Sequence, residues 1–157
     1  MEKNIMTTIA FKDGIMAADG KVTIGNQIIT LQDKKIFETN GYIVGTAGNC
    51  HSCELFREYG FTPSDTDLRG QLMEYIESDK EENCFYALVW DKEKKTLKQY
   101  SNSIYPLVIP EQISAIGSGA DFALGAMYAG ASADKAVEIA SKLDINSGGE
   151  IYILGDK

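Results

Sequence analysis

A threonine, an aspartate and a lysine near the start of the chain carry the side chains that a nucleophilic site needs. They are Thr7, Asp19 and Lys35. A threonine hydroxyl is a poor nucleophile unless a base stands beside it. The α-amine of the same threonine can be that base once it is free, because its ordinary pKa of about 7.7–8.0 is close to neutral pH. A lysine ammonium would favour the neutral form of this amine, and an aspartate would hold the lysine.

This chemistry needs no histidine, and the chain has only one, His51. Ser-His-Asp or Cys-His catalysis would therefore depend entirely on that residue. Gly117-Ser118-Gly119 lacks the strand-to-helix elbow of a serine nucleophile, and it is better interpreted as a turn. Threonine, aspartate and lysine are nevertheless common residues. On the pattern alone, two ordinary hairpins with surface polar groups are the simpler interpretation.

The first of these hairpins is predicted by Asp13-Gly14, a residue pair that tolerates positive φ in a two-residue turn. The turn joins two short stretches of apolar and small residues. Counting outward from it places Thr8 opposite Asp19. Thr7 would then lie beside the Asp19 carboxylate at the open end of the hairpin.

The second hairpin is predicted between residues 34 and 47, with its turn at Asn40-Gly41. Counting back from that turn places Lys35 opposite Thr46. Both hairpins are rich in β-branched and small residues, as buried strands tend to be. If the two hairpins pair in one sheet, they present the threonine, the aspartate and the lysine from adjacent strand ends.

The rest of the chain continues in blocks of helices and strands without a linker or a break in composition. Apolar spacing predicts four helices and five further strands. The helices are expected at residues 50–59, from about 64 to 76, at 120–129 and from 133 to 143. The strands are expected at residues 84–90, 96–101, 105–109, 113–116 and 151–154. This order favours one α+β domain in which two antiparallel sheets are stacked between helix layers.

Composition excludes several classes of protein. The chain of 157 residues has a formal net charge of −8 and no basic block, which argues against nucleic-acid binding. No apolar run approaches the roughly 20 residues that a membrane-spanning helix needs. The first six residues lack the apolar core of a secretory signal. Three cysteines do not suggest a disulfide framework, so we expect a cytoplasmic protein without nucleic-acid or membrane partners.

Eight short motifs, taken in order, resemble the proteasome β-subunits and the bacterial HslV peptidase. They are Thr7-Thr8-Ile9, Asp13-Gly14, Ala18-Asp19-Gly20, Val22-Thr23-Ile24-Gly25-Asn26, Lys34-Lys35-Ile36, Gly45-Thr46-Ala47-Gly48, Ala115-Ile116-Gly117-Ser118-Gly119 and Asp144-Ile145-Asn146-Ser147-Gly148-Gly149. The resemblance extends from Thr7 to Leu154. It implies a short, divergent N-terminal-nucleophile hydrolase with the four-layer αββα sandwich of that family, preceded by a leader at residues 1–6.

The resemblance also implies the role of each site residue. Thr7 would be the nucleophile, Lys35 would tune its amine, and Asp19 would hold Lys35. The backbone N–H of Gly48 would form the oxyanion hole. Three further side chains would orient the amine by hydrogen bonding: Ser118, Asp144 and Ser147.

A substrate pocket and a cation site are implied in the same way. Thr46 and Cys50 would form part of the pocket wall. No cofactor is required, but backbone carbonyls could hold a structural monovalent or divalent cation; those carbonyls belong to Gly149, Tyr152 and Gly155. Cys50-His51-Ser52-Cys53 also resembles a redox or metal half-site. We interpret that stretch mainly as packing, because a zinc site would need two more ligands.

Two features depart from the family. The first hairpin is shorter by about four residues and the second by about two, and even deletions keep every side chain on its original face.

Met6 precedes Thr7 and occupies its amine. Autolysis between Met6 and Thr7 would free that amine. Translation from Met6 followed by methionine removal would also do so.

We therefore expect a threonine-type endopeptidase subunit within a homo-oligomer of stacked six- or seven-membered rings. An ATPase unfoldase would feed it unfolded polypeptide. The alternative is a catalytically inactive binding or scaffold protein that has the same fold and keeps its leader, a description that a phage-type family member would fit. A third and weaker interpretation is an amidohydrolase of the wider class that acts on a small amide.

Overall fold

The computed structural model describes residues 4–60 and 66–155. Within these ranges the chain forms twelve strands and four α-helices. The strands are β1 (Asn4–Ile5), β2 (Thr8–Lys12), β3 (Ile15–Asp19), β4 (Val22–Ile24), β5 (Gln27–Thr30), β6 (Ile36–Thr39), β7 (Tyr42–Asn49), β8 (Phe85–Asp91), β9 (Thr96–Ser101), β10 (Leu107–Val108), β11 (Ile113–Gly117) and β12 (Ile151–Gly155). The helices are α1 (Cys50–Leu55), which a π-helical segment at Phe56–Gly60 continues, α2 (Thr66–Ser78), α3 (Ala120–Tyr128) and α4 (Ala133–Leu143).

Two antiparallel sheets form the centre of the fold. One has the order β1-β7-β8-β9-β10, with β6 also paired to β7, and the other has the order β11-β2-β3-β12. Strands β4 and β5 form a separate two-stranded hairpin. Helices α3 and α4 cover the outer face of the four-stranded sheet, and α1 and α2 cover the outer face of the larger one. The predicted αββα sandwich is confirmed.

Three apolar layers separate these four layers of secondary structure. Between the sheets, Ile9 and Phe11 of β2 pack against residues such as Ile43 and Leu88 of the larger sheet. On its other face β2 presents Ala10 to the helices. Alternation along the strand thus puts large side chains between the sheets and small ones beneath α3 and α4. No helix in the described ranges is both long and apolar enough to cross a membrane.

Both predicted hairpin turns form as expected. Asp13 and Gly14 have φ values of 53° and 76°, and Asn40 and Gly41 have φ values of 50° and 83°. Positive φ at both central residues is the two-residue turn that matches the twist of antiparallel strands. The resulting registers pair Ile9 with Ala18 and Ile36 with Gly45. They continue to the expected opposition of Thr8 with Asp19 and of Lys35 with Thr46.

The condition that the two hairpins pair in one sheet is not met. The hairpin β2–β3 belongs to the four-stranded sheet, and β6–β7 belongs to the larger sheet. Each hairpin has an apolar face, and these faces pack against each other between the sheets. Both apolar faces are therefore buried because the two sheets stack, and not because the hairpins pair edge to edge.

Other elements differ in detail. The hairpin β4–β5 was not predicted, although Gly25 has the positive φ of its turn at 60°. The strand expected at residues 105–109 is reduced to Leu107–Val108, next to Pro106. The helix expected at residues 50–59 divides into α1 and the π-helical segment. The first two residues of the helix expected from about 64 to 76 lie outside the described ranges, and α2 is described from Thr66 to Ser78.

Candidate active site

Asp19, at the end of β3, is the centre of a buried polar cluster. Its side chain is fully buried, and its Oδ1 accepts hydrogen bonds from the Thr7 hydroxyl and from the Thr8 amide at 2.9 Å. Its Oδ2 accepts from the Gly148 amide at 2.8 Å. A buried carboxylate needs such donors, because transfer out of water is otherwise very costly. The loop before β12 therefore helps to hold Asp19.

Lys35 crosses from the larger sheet to reach this cluster. Its side chain is 1% exposed, and its Nζ lies 3.2 Å from Asp19 Oδ1. The same ammonium donates to the carbonyl oxygens of Asp19 at 3.1 Å and Lys21 at 2.7 Å. Burial lowers the pKa of Lys35, whereas Asp19 acts in the opposite direction. The structure thus brings together Thr7, Asp19 and Lys35.

Thr7 is held through its backbone as well as its hydroxyl. The residue is fully buried, and its carbonyl oxygen accepts hydrogen bonds from the Gly119 amide and the Ser118 hydroxyl, both at 3.3 Å. Gly117 has a φ of 99°, and a Cβ at this position would collide with the Thr7 carbonyl oxygen. Glycine at the end of β11 is therefore required for this close backbone approach.

The three residues expected to orient the Thr7 amine form one hydrogen-bonded group. Asp144 Oδ2 accepts from the Ser118 hydroxyl and the Ser147 hydroxyl, each at 2.6 Å. The amide of Asn146 donates to Asp144 Oδ1 at 3.1 Å and so fixes the carboxylate. Ser118 joins this group to the Thr7 carbonyl. These residues lie beside Thr7, as their expected role requires.

The sequence analysis missed Thr8 as a member of this group. Thr8 is fully buried, and its Oγ1 lies 2.7 Å from Ser147 Oγ. Because Ser147 gives its proton to Asp144, Thr8 must be the donor in this bond. A Cβ at Gly119 would collide with the Thr8 hydroxyl, so that glycine makes room for it. The available signal was a second threonine directly after Thr7.

Gly48 lies where the N-terminal segment meets β7. Strand β1 pairs with β7, with Asn4 opposite Asn49 and Ile5 opposite Gly48. Gly48 has a φ of 112°, and a Cβ there would collide with the Cys84 carbonyl oxygen. The next strand, β2, belongs to the other sheet. The Met6–Thr7 bond is therefore the point at which the chain crosses between the two sheets.

A cavity of about 560 Å³ opens beside Lys35. The structure places both predicted pocket residues, Thr46 and Cys50, in its wall. The wall also contains residues of β4, β5 and α1 and of the loop before β6. The complete lining is Val22, Thr30, Asp33, Lys35, Thr46, Cys50, His51, Glu54 and Arg57.

Side chains of the cysteine stretch make packing contacts. Cys50, Cys53 and Cys84 are all free thiols, and burial raises the pKa of Cys53 to about 12. The His51 ring packs edge-on against Tyr75, with the ring centroids 4.7 Å apart. Within residues 4–60 and 66–155 no group of three or more His, Cys, Asp or Glu side chains could hold a metal ion. These contacts agree with the packing interpretation of this stretch, which stays a prediction.

The carbonyls expected to hold a structural cation are spread along the end of the chain. Gly149 packs against the backbone of Leu31, whereas Tyr152 and Gly155 lie in β12. Three residues of extended strand span roughly 10 Å. A cation held by all three carbonyls would therefore need a local change in β12, and this site stays a prediction.

Comparison with known proteins identifies the fold. No family model and no curated protein matches the sequence. Among solved structures, eukaryotic HslV from Trypanosoma brucei matches with a TM-score of 0.69 and 20% identity, over 94% of this chain and 99% of that one. The chain has the HslV fold. Thiobacillus denitrificans BPH in complex with epoxomicin matches with a TM-score of 0.69 and 17% identity, over 96% of this chain and 99% of that one. A second structure of T. denitrificans BPH has a TM-score of 0.69 and 18% identity, over 96% and 98% of the two chains.

Within this HslV fold, two hydrogen-bonded groups meet at one threonine. The Thr7 hydroxyl donates to Asp19, which is paired with Lys35, and the group centred on Asp144 reaches the Thr7 carbonyl through Ser118. Such an arrangement can polarise a hydroxyl and fix the orientation of the backbone that carries it. A free amine on Thr7 would add a base within the same residue.

Proposed function

We propose that this chain is a threonine-type endopeptidase subunit and that Thr7 becomes its nucleophile once residues 1–6 are removed. The observation that carries the proposal is the contact of the Thr7 hydroxyl with the buried Asp19–Lys35 pair. A surface hairpin would have no need of a lysine and an aspartate that are both buried. Residues 7–157 would then form the single catalytic domain.

In this mechanism the freed α-amine of Thr7 takes the proton of the Thr7 hydroxyl. Oγ1 forms a bond to the carbonyl carbon of the substrate peptide, and the C–N bond breaks as the nitrogen leaves with that proton. Water then loses a proton to the same amine and attacks the ester, which returns Oγ1 to its hydroxyl form. Lys35 stabilises negative charge near Oγ1, and Asp19 holds Lys35 in place.

Substrate would bind along the edge of β7. In the precursor, β1 already occupies this edge as an extended strand opposite Gly48 and Asn49. An incoming polypeptide can add to the same edge by backbone hydrogen bonding. The Gly48 amide would then lie in the oxyanion hole, where loss of one donor typically costs about 10²–10³ in rate. An extended, unfolded polypeptide is the class of substrate that this mode of binding accepts.

Removal of the leader is the step that activates the site. Met6 is bonded to the nitrogen of Thr7, so that nitrogen is an amide and cannot act as a base. Attack of the Thr7 hydroxyl on the Met6 carbonyl carbon would break the Met6–Thr7 amide bond and leave the leader attached to Oγ1 as an ester. Water would then hydrolyse this ester and release the leader. Methionine removal after translation from Met6 would produce the same terminus.

A free peptidase of this kind would digest cellular proteins without restraint. We propose that the subunits enclose their sites in stacked homo-oligomeric rings of six or seven members, to which an ATPase unfoldase delivers substrate. The native mass of the purified protein tests this assembly. A single-subunit mass at micromolar concentration would contradict it.

A second candidate is a non-catalytic scaffold that keeps its leader. Thr7 is completely buried and β1 occupies the edge of β7. Both observations favour this candidate, because a substrate cannot reach the hydroxyl in this arrangement. Whether the Met6–Thr7 bond is cleaved therefore distinguishes the peptidase from the scaffold.

The decisive experiment measures the intact mass of the purified protein and then its labelling by an epoxyketone such as epoxomicin. A mass that lacks the six leader residues, together with one adduct per subunit, is expected for the peptidase. The Thr7→Ala variant is the control and should show no adduct. An intact leader and no adduct in every preparation would instead support the scaffold.

A further inference from the structure

Three buried polar residues near Gly48 have no part in the proposed mechanism. They are Asn49, Ser52 and Asn83, which are 3%, 0% and 6% exposed. A polar side chain can be buried at this level only when hydrogen bonds replace its contacts with water. These three residues form a group that we call the clamp, and their hydrogen-bond partners show which parts of the chain it joins.

Asn49 uses both ends of its side-chain amide. Its Oδ1 accepts from the backbone amides of His51 at 2.9 Å and Ser52 at 3.1 Å, and so caps α1. Its Nδ2 donates to the carbonyl oxygen of Glu82 at 3.0 Å. Serine would also cap α1, but its hydroxyl lies one bond closer to the backbone and falls short of the Glu82 carbonyl. The bond to Glu82 is therefore the feature that requires asparagine.

The other side of the clamp belongs to residues 79–84, which join α2 to β8. Asn83 Nδ2 donates to the Tyr75 carbonyl at 2.8 Å and to Ser78 Oγ at 3.1 Å, both near the end of α2. The backbone carbonyl of Asn83 accepts from the Ser52 hydroxyl at 3.0 Å. Asn83 thus ties the end of α2 to the first turn of α1.

The same connection holds the backbone at Gly48. The Asn49 amide donates to the Cys84 carbonyl oxygen at 2.7 Å, and a Cβ on Gly48 would collide with that oxygen. Phe85 is the strand partner of Gly48, but its amide and its carbonyl both bond to Asn102, each at 2.7 Å. The Gly48 amide is therefore directed away from β8, towards the edge of β7 on which β1 lies.

Glycine by itself would not hold this direction. Gly48 has a φ of 112°, a conformation that glycine enters and leaves at little cost. The direction of its amide is therefore fixed by the contacts around it, namely the Cys84 carbonyl and the clamp. An amide that is oriented before the reaction stabilises developing negative charge without a cost of reorganisation.

We propose that the clamp orients the Gly48 amide towards the developing oxyanion, so that Asn49 and Asn83 are positioning residues of the peptidase. The proposal rests on the proposed function of Thr7. The clamp acts through Gly48 on the transition state, whereas strand pairing along β7 binds the substrate before reaction. Loosening the clamp should therefore lower kcat and leave KM nearly unchanged.

The first test compares the leader-free parent protein with Asn49→Ser, which keeps the cap of α1 and loses the bond to Glu82. We expect kcat on a fluorogenic peptide to fall about tenfold, with KM changed by less than about twofold. The Kd of a peptide boronate should rise by about the same tenfold, because its tetrahedral adduct places an oxygen where the oxyanion forms. A merely structural role would lower stability and leave this affinity unchanged.

Ser52→Ala tests the clamp from its other end with a milder change. It removes the bond to the Asn83 carbonyl with little change in volume, and kcat should fall about threefold. Ser132→Ala is the matched control, because Ser132 caps α4 by accepting from the Lys135 amide at 3.4 Å, on the opposite outer face of the sandwich. This control should lower the midpoint of urea unfolding and leave kcat, KM and boronate affinity unchanged.

The outcomes separate this inference from the function on which it rests. Parent values of kcat and boronate affinity in folded Asn49→Ser and Ser52→Ala would overturn the role of the clamp while leaving the peptidase in place. If Asn49→Ser does not fold, Ser52→Ala decides the question by itself. If the leader-free parent cleaves no peptide and takes up no epoxomicin, the proposed function fails and the role of the clamp fails with it.

Discussion

Two carboxylates reach the same threonine in different environments. Asp19 is fully buried between the sheets and is paired with an ammonium. Asp144 is half-buried at the end of α4, and it accepts only from two hydroxyls and one amide. The first environment controls charge, since a buried ion pair strongly biases nearby protonation. The second controls direction, because neutral donors fix geometry at little electrostatic cost. A site of this kind separates the two tasks.

Removal of the lysine from the buried group should have the largest effect. In Lys35→Met, Asp19 keeps its backbone donors but loses its counter-charge, and a buried unpaired charge costs about 3–5 kcal/mol. We expect the free energy of unfolding to fall by that amount in urea titrations, and peptide turnover to be lost.

Lys12→Met is the matched control for this substitution. Lys12 Nζ donates to the carbonyls of Met127 and Ala131, both at 3.0 Å, and stabilises the end of α3 far from Thr7. Its loss should cost about 1 kcal/mol and leave peptide turnover unchanged. Equal losses of stability in Lys35→Met and Lys12→Met would contradict the larger contribution to stability that we assign to the buried Asp19–Lys35 pair.

Neutralising the second carboxylate should affect turnover more than stability. Asp144→Asn removes the charge that orders Ser118 and Ser147, and we expect a loss of about 1–2 kcal/mol in stability. Turnover of the leader-free enzyme should fall about 10²-fold, because the Thr7 amine loses its orientation. Separate measurements of kcat and KM should assign the change to kcat. A loss of stability as large as that of Lys35→Met would remove the distinction between the two groups.

Thr8 offers a smaller and more selective test of the Asp144 group. Thr8→Val preserves shape but removes the proton that Thr8 donates to Ser147. We expect kcat to fall about three- to tenfold, with stability lower by about 1 kcal/mol. Thr8→Ser keeps the hydroxyl and should restore most of the rate. If the valine and serine variants have the same kcat, the bond to Ser147 has no part in turnover.

The smallest expected signal is in the pH dependence of stability, which tests the buried group that contains Lys35. Burial lowers the pKa of Lys35 below its ordinary value of 10.5, so the unfolded chain binds more protons between the two pKa values. The free energy of unfolding contributed by Lys35 should therefore rise as pH increases towards 10.5. Urea titrations of the parent protein and of Lys35→Met across this range should differ in slope in that direction. A parent slope equal to or below that of the variant would contradict the assignment.

Much of the site could be predicted because it depends on local counting. The turns at Asp13-Gly14 and Asn40-Gly41 determine register, and register determines which residue faces Asp19 and which faces Lys35. Thr8 was missed because its role depends on Ser147, a residue far away in the sequence. The hairpin β4–β5 was missed because its exposed strands lack a clear alternating pattern.

The sequence by itself determined the hairpins β2–β3 and β6–β7, their turn types and the order of the main helices and strands. Those properties follow from backbone preferences and from side-chain alternation, which act over a few residues. Tertiary structure alone decided that the hairpins stack in separate sheets, so that Lys35 reaches Asp19 across the interior. It also placed β1 on the edge of β7. These contacts depend on how apolar faces are buried against one another, which no local pattern specifies.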